Sequence, residues 1–283
     1  MARDFLALVQ QQIGARYHLE REIGRGGGAR VFLATAPDGA RVALKVLLPE
    51  LLAGTAAERF LREIRLAREL DHPRIARILD AGEDGWVVFY AMTFAEGPTL
   101  RSYLDTRGAL PAAELARVAD DLLDALGYAH GRGIIHRDVK PENIVLAPGG
   151  AVLLDFGIAR AIEQSAGDRL TATGMTVGTA AYMSPEQIRG VAVDHRSDLY
   201  AMGCLLYECA SGTPPFHHSN EAIVLRQHLL EAPPPLSSVC PDVTPQMALV
   251  VERALAKKPE ERWPSADAMR AALGATPPAA RGP

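Results

Sequence analysis

The sequence predicts an α+β protein with two lobes, a small β-rich lobe followed by a larger helical lobe. Up to Met92, short β-branched and aromatic runs alternate with glycine and turn signals, which is typical of strands. After Glu96-Gly97-Pro98, apolar residues recur at helical spacing instead. The length of 283 residues suits two lobes or two small domains better than one compact domain.

The N-terminal segment, residues 1–16, is predicted to form a short amphipathic helix. Its apolar side carries Phe5, Leu8, Val9 and Ile13. We expect this segment to be a loosely packed leader in front of the folded domain.

Five strands are predicted in the small lobe, at residues 17–23, 31–36 and 41–47, around Ile78 and at 86–92. The glycine cluster 24–28 and the turn signal Pro37-Asp38-Gly39 separate the first three. One helix is predicted over residues 56–70, because its apolar residues recur at i, i+4 and i+7.

The clearest helix of the larger lobe begins near Pro111 and ends at the stop signal Gly131-Arg132-Gly133. Further helices are predicted near residues 196–210, 220–231, 245–256 and 265–273. The last residues, 275–283, are rich in proline and alanine and are typical of a tail or linker.

The composition excludes several classes of protein. Apolar residues make up 48% and charged residues 23%, which is ordinary for a globular protein. No uncharged apolar run reaches the roughly 18 residues of a membrane helix, so no membrane contact is expected within this chain. The net charge of −4 gives no basic footprint for nucleic acid. Three cysteines without metal-ligand spacing favour the reducing cytoplasm.

Two features of the small lobe point to phosphate chemistry. The glycine cluster lets backbone N–H groups approach phosphate oxygens, although a glycine-rich hairpin is an equally common explanation. Lys45 is one of only four lysines among 30 basic residues and lies in an apolar strand. A buried ammonium needs an anion. Glu63, at the edge of the apolar stripe of helix 56–70, is the expected partner, and a solvated glutamate is the alternative.

The segment 136–143 carries the densest group of chemical residues, with Asp138, Lys140 and Asn143 as base, cation and metal ligand. A β-hairpin is predicted after it. Centred on Gly149, this hairpin would place Asn143 opposite Asp155. Amide and carboxylate oxygens suit Mg²⁺, which uses few protein ligands together with substrate phosphates.

Five motifs follow one another along the chain. They are the glycine segment at 24–28, V-A-L-K at 42–45, H-R-D at 136–138, D-F-G at 155–157 and Pro-Glu at 185–186. Together they resemble the eukaryotic-type protein kinases, and most closely their bacterial serine/threonine branch. The resemblance covers about residues 17–274. It implies a bilobal protein-kinase fold with an N-lobe at 17–92, a hinge at 93–97 and a C-lobe at 98–274, between the leader 1–16 and the tail 275–283.

The resemblance implies an ATP-dependent kinase that phosphorylates serine and threonine hydroxyls of proteins in bacterial signalling. ATP would be bound with Mg²⁺, with Mn²⁺ as an alternative metal. The residues at the family's nucleotide-binding positions are Gly24, Gly26, Val31, Ala43, Lys45, Met92, Thr93, Ala95 and Val145. The residues at its catalytic positions are Asp138, Lys140, Lys45 and Glu63, and the implied metal ligands are Asn143 and Asp155.

The resemblance also implies structural and regulatory roles. Glu186 would pair with Arg262, and Asp198 would anchor the catalytic loop. Autophosphorylation, through transient dimers of the chain with itself, is expected at Thr171, Thr173 and Thr176, with Arg137 as the phosphate partner. Thr179 is expected to position the substrate.

Two other functions remain open at this point. A nucleotide-binding pseudokinase scaffold would lack Lys45, Asp138 or Asp155, and all three are present. A small-molecule phosphotransferase of the same fold would not need the threonine-rich segment 158–186. The tail is compatible with a longer, membrane-anchored protein of which this chain is the cytosolic part.

Overall fold

The structure, a computed structural model, describes residues 2–26, 28–48, 56–156 and 179–274. The described residues form two compact units. The first unit contains residues 2–95 with 155–156, and the second contains residues 96–154 and 179–274. The predicted mixed fold, with a β-rich part and a helical part, is confirmed.

The first unit contains a five-stranded antiparallel sheet, with the strands in the order β1-β2-β3-β5-β4. The strands are β1 (His18–Gly26), β2 (Ala29–Thr35), β3 (Arg41–Leu47), β4 (Ile78–Asp84) and β5 (Val87–Thr93). Residues 36–40 form the predicted turn between β2 and β3. Gly39 adopts φ 84°, and the Asp38 carboxylate accepts a hydrogen bond of 3.0 Å from the Ala40 amide.

The expectation of a loosely packed leader is wrong. Helix α1 (Ala2–Ile13) packs on one face of the sheet, and Val9 and Ile13 are fully buried there beside Phe32 and Phe89. The sheet presents apolar side chains on both faces, so this face would be exposed to water without a cover. The segment therefore completes the core of the first unit.

The opposite face of the sheet packs helix α2 (Ala56–Ala67), whose Phe60 and Ile64 are buried. The ring of Phe60 lies 6.0 Å from that of Tyr90 on β5. The helix ends at Ala67, three residues before the predicted end.

The second unit is mainly helical. Its helices are α3 (Leu100–Arg107), α4 (Ala112–His130), α5 (Pro185–Arg189), α6 (Arg196–Ser211), α7 (Glu221–Leu230), α8 (Leu236–Val239), α9 (Pro245–Ala254) and α10 (Ala266–Gly274). Helix α6 is buried along almost its whole length and forms the centre of this unit. Helix α3 was not singled out by the sequence pattern, because only Leu100 and Leu104 of its eight residues are buried.

A hairpin of β6 (Ile144–Ala147) and β7 (Gly150–Leu153) follows the segment 136–143. Its predicted register is wrong by one residue. Ala147 pairs with Gly150, so the loop contains two residues rather than three. Asn143 therefore lies opposite Leu154, whose amide donates to the Asn143 carbonyl over 2.8 Å, and Asp155 follows one residue later.

The described parts of the chain include no helix that is both long and apolar enough to cross a membrane.

Candidate functional site

Cross-strand pairing brings the predicted nucleotide-binding residues of the first unit onto one face of the sheet. Val31 pairs with Lys45, Lys45 with Tyr90, and Ala43 with Met92. Directly paired residues project to the same side of a sheet. We call these five residues the site face. It is the face opposite to the one that α1 covers, because Phe89 and Tyr90 are neighbours on β5 and point to opposite sides.

The predicted glycines, Gly24 and Gly26, lie at the C-terminal end of β1, just before the turn into β2. Gly24 pairs with Val31 and Gly26 with Ala29. A Cβ atom at Gly24 would make ordinary contact with Val31, and one at Gly26 would meet no described atom within 4 Å. Packing against the described residues therefore does not require glycine at positions 24 and 26. Close approach of an external group, such as a phosphate, would explain why glycine occupies these two positions.

The expected hinge residues of the first unit follow Met92. The Thr93 amide donates to the Arg77 carbonyl over 2.9 Å. Its N–H is therefore already bonded within the first unit, so in a hydrogen bond with adenine the Thr93 carbonyl would be the acceptor. Ala95 ends this stretch of the unit. Val145 lies in the second unit, on β6, and bridges to Thr99.

Lys45 has an anionic partner in the structure. Its Nζ lies 2.6 Å from Oδ2 of Asp155, which also belongs to the first unit. The Tyr90 hydroxyl donates a hydrogen bond to the other oxygen, Oδ1. Burial, together with the charge of Asp155, raises the pKa of Tyr90 well above its ordinary value, so the phenol remains a donor.

The side chain of Glu63 lies outside the described residues, although its backbone is part of α2. The predicted pair of Lys45 and Glu63 therefore stays a prediction. The same holds for Thr171, Thr173 and Thr176 and for the side chain of Thr179, which also lie outside the described residues.

In the second unit, Asp138, Lys140 and Asn143 come together as the sequence predicts. The Asp138 oxygen Oδ2 lies 2.8 Å from Lys140 Nζ and accepts a hydrogen bond of 3.0 Å from Asn143 Nδ2. Asn143 Nδ2 also donates to the Asp138 carbonyl over 2.8 Å. Because the amide nitrogen makes these bonds, Oδ1 is the atom of Asn143 that could bind a metal.

His136 is a structural residue of this loop. It is fully buried, its Nδ1 accepts from the Asp138 amide over 3.2 Å, and its Nε2 lies 2.7 Å from the Leu154 carbonyl. A carbonyl only accepts, so Nε2 is the donor in this hydrogen bond. His136 thus fixes the Asp138 backbone and does not serve as a base.

Asp198 holds the same loop from α6, as expected. Its Oδ2 accepts from the His136 amide over 2.8 Å, and its Oδ1 accepts from the Arg137 amide over 2.7 Å. The His130 ring lies 2.8 Å from Oδ2. Burial alone would raise the pKa of Asp198, but the hydrogen bond from His130 and the nearby amides outweigh it, and the pKa is lowered. The left-handed conformation of Arg137, at φ 70°, is thereby held in place.

The predicted pair of Glu186 and Arg262 is confirmed. The guanidinium binds both carboxylate oxygens, at 2.6 and 2.8 Å, and both side chains are buried. Burial acts to raise the pKa of Glu186, but the hydrogen bonds from Arg262 and Ser197 outweigh it and lower the pKa.

Sequence reasoning missed two residues that contact this chemistry. Gln187 forms a capping box with Ser184, and its side-chain amide donates to the Arg137 carbonyl over 2.9 Å. The spacing Ser184-x-x-Gln187 was the available signal. Tyr90 was missed on β5, where a hydroxyl in a buried apolar strand signals a polar partner.

The side chains of the site can be compared with the ligands that a divalent metal requires. Among residues 2–26, 28–48, 56–156 and 179–274, no group of three or more His, Cys, Asp or Glu side chains could hold a metal ion. Mg²⁺ does not need such a group, because one or two protein oxygens and the substrate phosphates suffice. The carboxylate of Asp155 and the amide oxygen of Asn143 are hard ligands of the kind that it prefers.

Comparison with known proteins gives one consistent result. The protein kinase domain family matches residues 17–273. Serine/threonine-protein kinase PknB of Mycolicibacterium smegmatis is 42% identical over 270 residues, which cover 93% of this chain and 43% of that protein. PknB of Mycobacterium tuberculosis is 42% identical over 265 residues, or 91% of this chain and 42% of that protein. A probable serine/threonine-protein kinase of Streptomyces coelicolor is 41% identical over 267 residues, or 92% and 40%. The chain thus spans less than half the length of these relatives.

Proposed function

The chain belongs to the protein kinase domain family, and from this membership we propose that it transfers the γ-phosphoryl group of ATP to serine and threonine hydroxyls of proteins in bacterial signalling. Charge stabilisation and positioning would supply the rate enhancement, without a covalent enzyme intermediate. The relatives' names support the serine/threonine class.

The observation that carries this proposal is the convergence of Lys140 and Asn143 on one oxygen of Asp138. Two donors on Oδ2 fix the orientation of the carboxylate, while a quarter of the side chain stays exposed. An acceptor hydroxyl could therefore reach it. In the proposed reaction, Asp138 orients this hydroxyl and takes its proton, and Lys140 offsets negative charge on the transferred group.

For the nucleotide, the proposal assigns the phosphates to the glycine segment and Lys45, and the adenine to the apolar positions Val31, Ala43 and Val145. Met92 would close the back of the adenine pocket, with hinge backbone groups at Thr93 and Ala95. Asn143 and Asp155 would hold Mg²⁺, or Mn²⁺ in its place, and the metal would neutralise phosphate charge. Glu63 would pair with Lys45 in the active form.

The domain organisation that we propose keeps the N-lobe at 17–92, the hinge at 93–97 and the C-lobe at 98–274. The division of the described residues at 95 and 96 supports it. The packing of α1 (Ala2–Ile13) supports including this helix in the first lobe as a structural part. Residues 275–283 remain a proposed tail or linker.

Regulation by autophosphorylation at Thr171, Thr173 and Thr176, through transient dimers, remains a proposal from the sequence. A phosphate on this segment would need a cation, and Arg137 lies next to Asp138 in the chain. Thr179 would position the substrate. We also propose a cytoplasmic location, because the three cysteines are free thiols and reduced thiols persist there.

The proposal is tested by incubating the purified chain with labelled ATP, Mg²⁺ and a generic acceptor protein, followed by phosphosite mapping. A protein kinase gives phosphoserine and phosphothreonine on the acceptor and on itself. Nucleotide binding without transfer would instead support the pseudokinase alternative, and label on small molecules alone would support a phosphotransferase.

A further inference from the structure

Tyr90 has a polar partner that the proposed reaction does not explain. The side chain is fully buried within the apolar strand β5, with its ring against Phe60 of α2. A buried phenol needs an acceptor for its O–H. The acceptor is Oδ1 of Asp155, the proposed metal ligand.

The two oxygens of the Asp155 carboxylate have different donors. Tyr90 binds Oδ1, and Lys45 binds Oδ2 at 2.6 Å. Both donors come from directly paired positions of β3 and β5, so the sheet fixes the distance between their Cα atoms. The backbone of Asp155 is itself left-handed, at φ 63°, a conformation that persists only where surrounding contacts hold it.

Lys45 and Tyr90 differ in whether their donor group can move away from Asp155. Lys45 has a flexible stem, and in the proposed reaction its ammonium turns to the ATP phosphates. The Tyr90 ring is enclosed between the sheet and α2 and has two rotatable side-chain bonds, so its hydroxyl stays where it is. When Lys45 binds phosphate, Tyr90 would still hold Oδ1 of Asp155 and so would keep the carboxylate oriented for a metal.

We propose that Tyr90 is a positioning residue for the metal-binding carboxylate of Asp155. This inference rests on the proposed function, because it takes Asp155 as a ligand of Mg²⁺. Hydrogen bonds to metal-binding carboxylates fix their orientation, and loss of such a partner typically weakens metal binding by about 10- to 100-fold.

The test uses Tyr90→Phe, which keeps the ring and removes only the hydroxyl. Tyr17→Phe is the matched control, because the Tyr17 hydroxyl also donates to a carboxylate of the first unit, Asp80, over 3.0 Å. Tyr17 lies in the cluster beneath α1, on the other face of the sheet. Binding of a non-hydrolysable ATP analogue is measured by calorimetry over a series of Mg²⁺ concentrations and without metal.

For Tyr90→Phe we expect the half-saturating Mg²⁺ concentration to rise about tenfold or more. Metal-free nucleotide binding should stay within about twofold of wild type, and excess Mg²⁺ should restore the transfer rate. Tyr17→Phe should match wild type in all three measurements. Equal Mg²⁺ dependence of the two variants would overturn the inference.

A double-mutant cycle separates positioning from a general structural effect. In an Asp155→Asn background, Tyr90→Phe should cause no further change in Mg²⁺ dependence. An equal change in both backgrounds would mean that Tyr90 acts through the fold, and the inference would fail. If nucleotide binding by the wild-type chain did not depend on Mg²⁺, the proposed function would be overturned as well. This result distinguishes failure of the proposed function from failure of the inference about Tyr90.

Discussion

Replacement of Ile13 by alanine tests whether α1 is a structural part of the first unit. Ile13 is 0% exposed and packs in the cluster with Val9, Phe32 and Phe89. Truncation of a fully buried isoleucine costs about 2–5 kcal/mol, from lost burial and from the cavity that remains. At about 2–4 °C per kcal/mol for a protein of this size, the melting temperature should fall by about 4–20 °C.

Leu8→Ala is the matched control on the same helix. Leu8 is 52% exposed, so its truncation should change stability by no more than about 0.5 kcal/mol. Thermal unfolding followed by circular dichroism, with urea unfolding as a second measure, compares the two variants. If Ile13→Ala melted within about 1 °C of Leu8→Ala, α1 would not contribute to the core and the reasoning would be refuted.

Three other changes have expected outcomes. Glu186→Gln should destabilise the second unit by about 3–5 kcal/mol, because it leaves the buried Arg262 charge unpaired. An unchanged midpoint in urea unfolding would contradict this expectation. Asp198→Asn should slow transfer by about 100-fold while nucleotide affinity is kept, because asparagine retains only one of the two oxygens that accept from the His136 and Arg137 amides. Equal losses of transfer rate and nucleotide affinity would point to general unfolding. Burial lowers the pKa of His228 from 6.5 to about 3, so between these pH values the unfolded chain binds a proton that the folded chain excludes. The free energy of unfolding should therefore fall as the pH decreases from 6.5 towards about 3. His228→Phe should reduce this slope in urea titrations at pH 7 to 4, and an unchanged slope would assign the effect to other groups.

The sequence was most informative where one periodicity dominated. The strands of the small lobe and the long helix α4 were predicted because their apolar patterns follow a single period. Asp138, Lys140 and Asn143 were predicted to cluster because they are close in the chain, so the local backbone brings them together without help from distant residues.

Predictions failed where structure depends on distant partners. The packing of α1 could not be predicted, because its partner face is assembled from several strands, some adjacent to α1 in the chain and one as distant as β5. The hairpin register depended on whether its loop has two or three residues, and the run Pro148-Gly149-Gly150 permits both. Tyr90 looked like another apolar strand residue, and only the fold brings Asp155 to its hydroxyl.

The rate of phosphoryl transfer by Asp138→Asn tests the central proposal most directly. The substitution keeps the shape of the side chain and removes the proton acceptor, so transfer should fall by roughly 10²- to 10⁴-fold while Mg²⁺-ATP still binds. Asp120→Asn is the matched control, because it removes an exposed carboxylate of the same unit that pairs with Arg270. We expect the control to transfer phosphate at the wild-type rate. Near wild-type transfer by Asp138→Asn would contradict the assignment of Asp138 and, with it, the mechanism proposed for this chain.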